Sequence, residues 1–199
     1  MPEYDPSTAL LIVDVQNDFT DPRGSLYVND GEAILPIINA EIAQALAAQG
    51  RVFYSQDWHP ESTPHFARDG GIWPVHCVMG TWGAELHPAL HVEGPVVRKG
   101  SNGEDGYSAF SMRDPITGET VPTELAGLLA EAGITRLVIA GLATDYCVKS
   151  TVLDATAHGY PATVIENACR AVELQPGDRD RAVEEMLGAG ALLESRRGG

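Results

Sequence analysis

Positive charge is scarce in this chain. Against 28 aspartates and glutamates stand 13 lysines and arginines, for a formal charge of −15 over 199 residues. A nucleic-acid binder draws affinity from basic side chains that neutralise phosphates, and no basic stripe is available here. The expectation is therefore no nucleic-acid partner, with the acidity serving solubility. Cysteine is scarce as well. Cys77, Cys147 and Cys169 have no framework spacing, which excludes a disulfide scaffold. No apolar run approaches the roughly 20 residues that cross a bilayer. The opening Met1-Pro-Glu-Tyr-Asp lacks the basic region of a secretory leader. Repeats, low-complexity tracts and linkers are missing too. Together these absences point to a cytoplasmic protein without a membrane partner.

What is present reads as one globular α/β domain over residues 1–199, with 44% hydrophobic and 21% charged residues. Ala9-Leu-Leu-Ile-Val-Asp14-Val-Gln opens as a buried strand interrupted by a carboxylate. A helix is expected from about Gly31 to Gln49, with Ile34, Ile37, Ile38, Ile42, Ala45 and Leu46 on its apolar face. Val52-Phe-Tyr-Ser-Gln is a second strand and Pro95-Val-Val-Arg-Lys99 a third. Between them, and again from Gly100 to Thr120, no periodic element is visible. Loops that long in a compact domain tend to be functional. A helix from about Thr123 to Ala132 follows, with Leu125, Leu128 and Leu129 inward. Then come the apolar run Leu137–Ala140 and a helix holding Cys147, with Thr144 and Asp145 as its N-cap residues. Ala162–Asn167 and Ala191–Glu194 complete the strands, Asp178 caps a helix to Leu187, and Ser195–Gly199 reads as a frayed tail. Strands alternating with helices predict a doubly wound, six-stranded, mostly parallel sheet with helices on both faces. Ligands bind such sheets at the carboxyl ends of the strands.

Asp14, Asp57, Lys99 and the Gly141–Cys147 turn all fall at such strand ends. Taken singly, Asp14 reads equally as a carboxylate bonded to backbone amides, and Cys147 as a small residue packing a helix on a sheet. Their coincidence at one sheet edge suits nucleophilic catalysis. The carboxylate takes the thiol proton and the ammonium steadies the ion pair. In the first turn of a helix, Cys147 is expected to favour the thiolate.

A second set is Asp57-x-His59, then His65 and His76, on a loop that also carries Trp58, Trp73 and Trp82. Residues i and i+2 of an extended segment face the same way, so Asp57 and His59 can share one ion. Three imidazoles and a carboxylate suit one borderline divalent metal, zinc first, with iron and manganese as other fits. A histidine in a loop is otherwise commonly solvated or bonded to backbone.

With those residues in hand, the chain resembles the nicotinamidase/pyrazinamidase branch of the isochorismatase-like cysteine hydrolase family. The resemblance rests on Leu11-Ile-Val-Asp14-Val-Gln-Asn-Asp-Phe19, Gln56-Asp57-Trp-His59-Pro, Trp73-Pro-Val-His76-Cys, Lys99-Gly, Tyr107-Ser-Ala-Phe110 and Gly141-Leu-Ala-Thr-Asp-Tyr-Cys147-Val. It implies a six-stranded parallel sheet, Cys147 as nucleophile, Asp14 as general base and Lys99 as third member of a triad. It further implies a cis peptide at Leu142–Ala143, an oxyanion hole from the Ala143 and Cys147 amides, and metal held by Asp57, His59, His65 and His76. Phe19, Trp73 and Tyr107 resemble walls for an aromatic substrate. His65 is the loosest match, because the spacing before it varies in the family. The implied reaction hydrolyses a small molecule, nicotinamide or a related pyridine or pyrazine carboxamide, to the acid and ammonia. Assembly with further copies of the chain is left open. The rival reading is a cysteine amidase of the same fold acting on a carbamoyl or ureido compound, which would not need the metal set. A vinyl-ether hydrolase would not need Cys147, and a silent interaction domain would not need the triad.

Overall fold

In the computed structural model, which describes residues 4–196, six strands form one parallel sheet. Expectations resting on Met1–Glu3 and on the end of the tail, residues 197–199, lie outside the described residues. In chain order the elements are β1 (Thr8–Val13), the one-turn helix α1 (Asn17–Thr20), α2 (Leu35–Ala47), β2 (Arg51–Asp57) and β3 (Val96–Lys99). A small hairpin follows, β4 (Ser111–Arg113) against β5 (Thr120–Pro122), then α3 (Leu125–Glu131). The second half is β6 (Arg136–Leu142), α4 (Lys149–Ala157), β7 (Ala162–Arg170), α5 (Asp178–Gly188) and β8 (Leu192–Glu194). The sheet order is β3-β2-β1-β6-β7-β8 with every pair parallel. The doubly wound α/β fold expected from the alternating strands and helices is the fold observed.

Period-two alternation along β1 explains why both faces carry helices. Leu10 and Ile12 pack with Ile38, Ile42 and Ala45 of α2, whereas Ala9, Leu11 and Val13 pack with Leu125 and Leu129 of α3, Val152 of α4 and Met186 of α5. All six residues of β1 are fully buried. Each buried Leu or Ile there contributes about 1.5–3 kcal/mol.

Several local expectations are corrected. Gly31–Ile34 is a 3-10 turn and the α-helix starts at Leu35, where Pro36 takes the tolerated first-turn position. Leu46 is exposed, whereas Glu41 of α2 is buried, paired with Arg196 and accepting a hydrogen bond from the Tyr4 hydroxyl. The Gly100–Thr120 stretch contains β4, whose strands are too short to show a period. Gly177 stands before α5, and the Asp178 carboxylate accepts from Gln175 N instead of capping its helix. The tail is anchored as far as Arg196, whose backbone pairs with the Asn167 amide at 2.7 and 2.8 Å.

Candidate active site

Sheet order reverses between β1 and β6, and the crevice at a doubly wound sheet's reversal point is where ligands bind. β1 runs into Asp14, β6 into Ala143 and the cysteine turn, and β3 ends on Lys99. Gly141 has a φ of 126°, and a Cβ on it would collide with the Val13 carbonyl, so only glycine lets β6 approach β1 this closely.

Lys99 is fully buried, and its ammonium is the hub of the crevice. It donates to Asp14 Oδ2 at 2.7 Å, to the Asp57 carboxylate and to the Gly106 carbonyl, so three donors meet three acceptors. Cys147 Sγ stands 3.8 Å from the same nitrogen. Ser55 Oγ donates to the other Asp14 oxygen at 2.6 Å. Burial disfavours the Lys99 ammonium, but Asp14 and Asp57 outweigh it and hold the group charged. Burial also raises Asp57, yet Lys99 and the neighbouring histidines bring it below the usual carboxylate range. Asp14 is the weaker acid of the two. Burial and the Asp57 charge lift it to about 6 against the pull of Lys99. One lysine thus leaves a second carboxylate basic enough to accept a proton near neutrality.

The thiolate expected at rest is corrected. Burial raises Cys147 well above the ordinary thiol range and the two carboxylates add to it, with Lys99 alone opposing. The helix-end effect is weakened because residues Thr144–Val148 form a single π-helical turn, and α4 begins only at Lys149. Asp145 does not cap this turn. Its carboxylate accepts from Val172 N at 2.9 Å and Glu173 N at 2.8 Å, tying the cysteine turn to the segment after β7. Burial and the two carboxylates thus favour the neutral Cys147 thiol over the thiolate in this crevice. The Leu142–Ala143 peptide is cis, as the family resemblance implies.

The three histidines converge beside this cluster, with one nitrogen from each within 4.8 Å of the others. His76 Nδ1 donates to the Pro74 carbonyl at 2.7 Å and His65 Nδ1 to Asp105 Oδ1 at 2.6 Å, which leaves the Nε2 atom of each ring. His59 is fully buried, and among the described residues neither of its ring nitrogens is hydrogen-bonded. Unpartnered buried imidazole nitrogens are costly unless something else fills them. Burial pushes His76 down to about 4, so it offers a neutral ring. Asp57 Oδ2 faces His59 Nε2 at 3.7 Å and His76 Nε2 at 3.9 Å. Nitrogen donors with one carboxylate fit a divalent ion. Asp14, Asp57 and Cys147 also cluster within 4.8 Å, but the Lys99 ammonium among them repels a cation. Asp57 therefore joins the two sets expected from the sequence into one site, with one oxygen on Lys99 and the other toward the histidines.

A pocket opens on both sets. Cys147 and Ala143 border it, as do Asp57, His65 and His76. Phe19, Trp73 and Tyr107 line it as expected, and the Trp73 indole donates to the Tyr107 hydroxyl at 2.8 Å. The reading of the sequence missed Tyr146, whose ring meets Trp73 edge-on at 4.7 Å, and the apolar wall of Leu26, Val28 and Val172. It also missed the supports. Gln16 brackets Asp57, accepting from its N–H and donating to its carbonyl and to that of Ala84. Asp18 accepts from Cys77 N, next to His76, at 2.7 Å. Both act on partners 41 and 59 residues away, and nothing local in the sequence signals that.

Comparisons with known proteins identify the family. Residues 8–196 match the isochorismatase domain. The nicotinamidase of Escherichia coli K12 is 41% identical, over 94% of each chain. Among solved structures, PnC1 of L. infantum in complex with nicotinate superposes with a TM-score of 0.88 at 38% identity, covering 96% of this chain and 94% of the other. The pyrazinamidase of Pyrococcus horikoshii in complex with zinc gives 0.84 at 35% identity, over 96% and 100%. The chain belongs to the isochorismatase domain family.

Proposed function

We propose that this protein is a nicotinamidase, hydrolysing nicotinamide to nicotinate and ammonia through a thioester on Cys147, a step of NAD salvage. The observation that carries the reading is Asp57. It joins a Cys-Asp-Lys cluster to a three-histidine donor set on one small, aromatic-walled pocket. A carbamoyl amidase has no use for the second half of that arrangement. Relatives named nicotinamidase at about 40% identity support the substrate class.

Asp57, His59, His65 and His76 would hold one divalent ion, zinc by the donor set. When bound it supplies a Lewis-acidic anchor for the ring nitrogen of the substrate. Phe19, Trp73 and Tyr107 would sandwich the ring and keep water from it. As Sγ of Cys147 bonds to the amide carbon, Asp14 takes the thiol proton and the carbonyl oxygen becomes an oxyanion. The Ala143 and Cys147 amides would hold that charge, in a dry site where such donors count most. Asp14 then gives its proton to the departing nitrogen, the C–N bond breaks and ammonia leaves. In the second half Asp14 takes a proton from water, the hydroxide adds to the thioester, and the C–S bond breaks with the thiol reprotonated. Lys99 keeps its proton throughout. It orients both carboxylates and holds Asp14 ionised at neutral pH.

Free, buried cysteines at Cys77, Cys147 and Cys169 support a reducing, cytoplasmic setting. Among the described residues no helix is long and apolar enough to cross a membrane. Ammonia release from nicotinamide and from benzamide by zinc-loaded protein tests the reading. Benzamide keeps the carboxamide but has no ring nitrogen, so it should be cleaved far more slowly. Equal rates on both, untouched by chelation, would transfer the chain to the carbamoyl-amidase reading.

A further inference from the structure

The three histidines are not held alike. His59 is wedged in place. A Cβ on Gly100 would lie 2.6 Å from its Cε1 and Nδ1, and Phe66 packs edge-on against it at 5.5 Å. His76 is oriented by the Pro74 carbonyl two residues away on its own chain segment. His65 stacks on the His59 ring at 4.9 Å and lies 5.6 Å from Tyr107, but among the described residues its ring nitrogen is hydrogen-bonded to no main-chain carbonyl. Its orientation rests on a residue 40 positions later, through the 2.6 Å contact from Nδ1 to Asp105 Oδ1. A carboxylate can only accept, so this contact places the hydrogen on Nδ1 and leaves the Nε2 lone pair for the ion.

Asp105 is itself fixed by backbone. Its N–H donates to the Arg113 carbonyl at 2.7 Å and its carbonyl accepts from Arg113 N at 2.9 Å, which seats it against β4. Gly106, the next residue, presents the carbonyl that Lys99 uses, and Tyr107 accepts from Trp73. One tripeptide thus touches the metal set, the lysine hub and the pocket wall in succession.

We infer that Asp105 is a positioning residue for the metal ligand His65, setting its tautomer and ring orientation so that the fourth donor of the set is available. The inference rests on the metal reading above. A carboxylate behind a ligating histidine raises the ring's basicity as well as orienting it, and losing such a partner typically costs about 10–100-fold in metal affinity. The role is specific to the ion. Asp105 has no side-chain contact with Asp14, Lys99 or Cys147 among the described interactions, so it should leave the thiol alone.

The test is zinc affinity, measured by competition with a chromophoric chelator, for the intact protein, Asp105→Ala and Asp105→Asn. The expected result is a loss of about 10–100-fold for Asp105→Ala. Asp105→Asn should lose less, because its carbonyl still accepts from Nδ1 but carries no charge. Cys147 alkylation by iodoacetamide should proceed within twofold of the unaltered rate in both. The bonds to Arg113 are main-chain on both sides, so Asp105→Asn keeps the fold even if Asp105→Ala does not. Unchanged zinc affinity in Asp105→Asn and Asp105→Ala, with tight binding by the unaltered protein, overturns the role of Asp105 alone. Failure of the unaltered protein to bind zinc overturns the metal reading and this inference with it. Parallel losses of zinc affinity and alkylation rate would instead make Asp105 a general support of the site and overturn the specific role.

Discussion

The two halves of the site are built on opposite plans. Asp14, Lys99 and Cys147 come from the ends of β1, β3 and the turn after β6, three elements locked in register by parallel pairing. The polar side-chain atoms of Asp14 and Lys99 are bonded to one another or to near neighbours. The histidines sit on a stretch between β2 and β3 whose regular structure, among the described residues, is two single 3-10 turns. Among the described residues, neither ring nitrogen of His59 there has a hydrogen-bond partner. A sheet edge can hold a proton-transfer cluster at fixed distances with no further help. A loop holds ligands only if other residues brace it and an ion completes it. The lesson is that the catalytic half should survive loss of the metal, while the metal half should not survive loss of its braces.

The sharpest break between the halves is Cys147→Ala. It should lower turnover of nicotinamide by on the order of 10⁴-fold or more, as loss of a covalent nucleophile does, while zinc content stays stoichiometric. Asp14→Asn should be nearly as severe, since an amide cannot accept the thiol proton. Zinc lost along with activity in Cys147→Ala would mean that the two halves are not separable. The converse change, His59→Ala or thorough chelation, should cost at least about 100-fold in turnover, the scale of a misplaced reacting group. Iodoacetamide should nevertheless label Cys147 at the holoenzyme rate, and well before Cys77 or Cys169. A thiol that goes silent on chelation would contradict the separation.

This contrast also governs what could be read without coordinates. Strand ends were legible because β1, β2 and β6 are short apolar runs broken by Asp14, Asp57 and Gly141, and parallel sheets place such breaks at one edge. The histidines were legible as residue types. Their bracing was not, because Gln16, Asp18 and Asp105 act across 41, 59 and 40 residues of sequence. Nothing local in Asn17-Asp-Phe-Thr or Glu104-Asp-Gly announces a partner that distant. The resting state of Cys147 was misjudged for a related reason. A helix start read from sequence carries its dipole, but the complete burial that dominates the thiol is a property of the packed crevice. The small hairpin was invisible since three-residue strands have no period to detect.

A pH profile sharpens the comparison further. Asp14 must be ionised to accept the thiol proton, and its carboxyl is raised to about 6. Activity is therefore present above that value and lost as pH falls through it. kcat/KM for nicotinamide should drop close to tenfold per unit below about pH 6. Burial keeps the His76 ring neutral down to about 4, so zinc content is to be measured at each pH beside kcat/KM, and a decline of kcat/KM at constant zinc content assigns the limb to the base. An acid limb that tracks loss of zinc would assign it to the ligands and not to the base.

The smallest effect expected, and the most direct test of bracing, is Asp18→Asn. One Asp18 oxygen accepts from Ser25 N at 3.0 Å and the other from Cys77 N at 2.7 Å. Cys77 adopts a left-handed φ of 45° immediately after His76, a conformation that a non-glycine residue keeps only when its surroundings hold it. An asparagine presents one oxygen and one NH₂, so one of the two backbone donors loses its acceptor. An unmet buried donor costs about 1–3 kcal/mol, which should appear as a lowered urea midpoint with an unchanged slope. If the orphaned donor is Cys77 N, beside His76, zinc affinity should weaken severalfold while the acid limb near pH 6 stays where it was. If the acid limb moves and zinc affinity does not, the brace serves the triad, and the division of the site into a self-supporting edge and a braced loop is wrong.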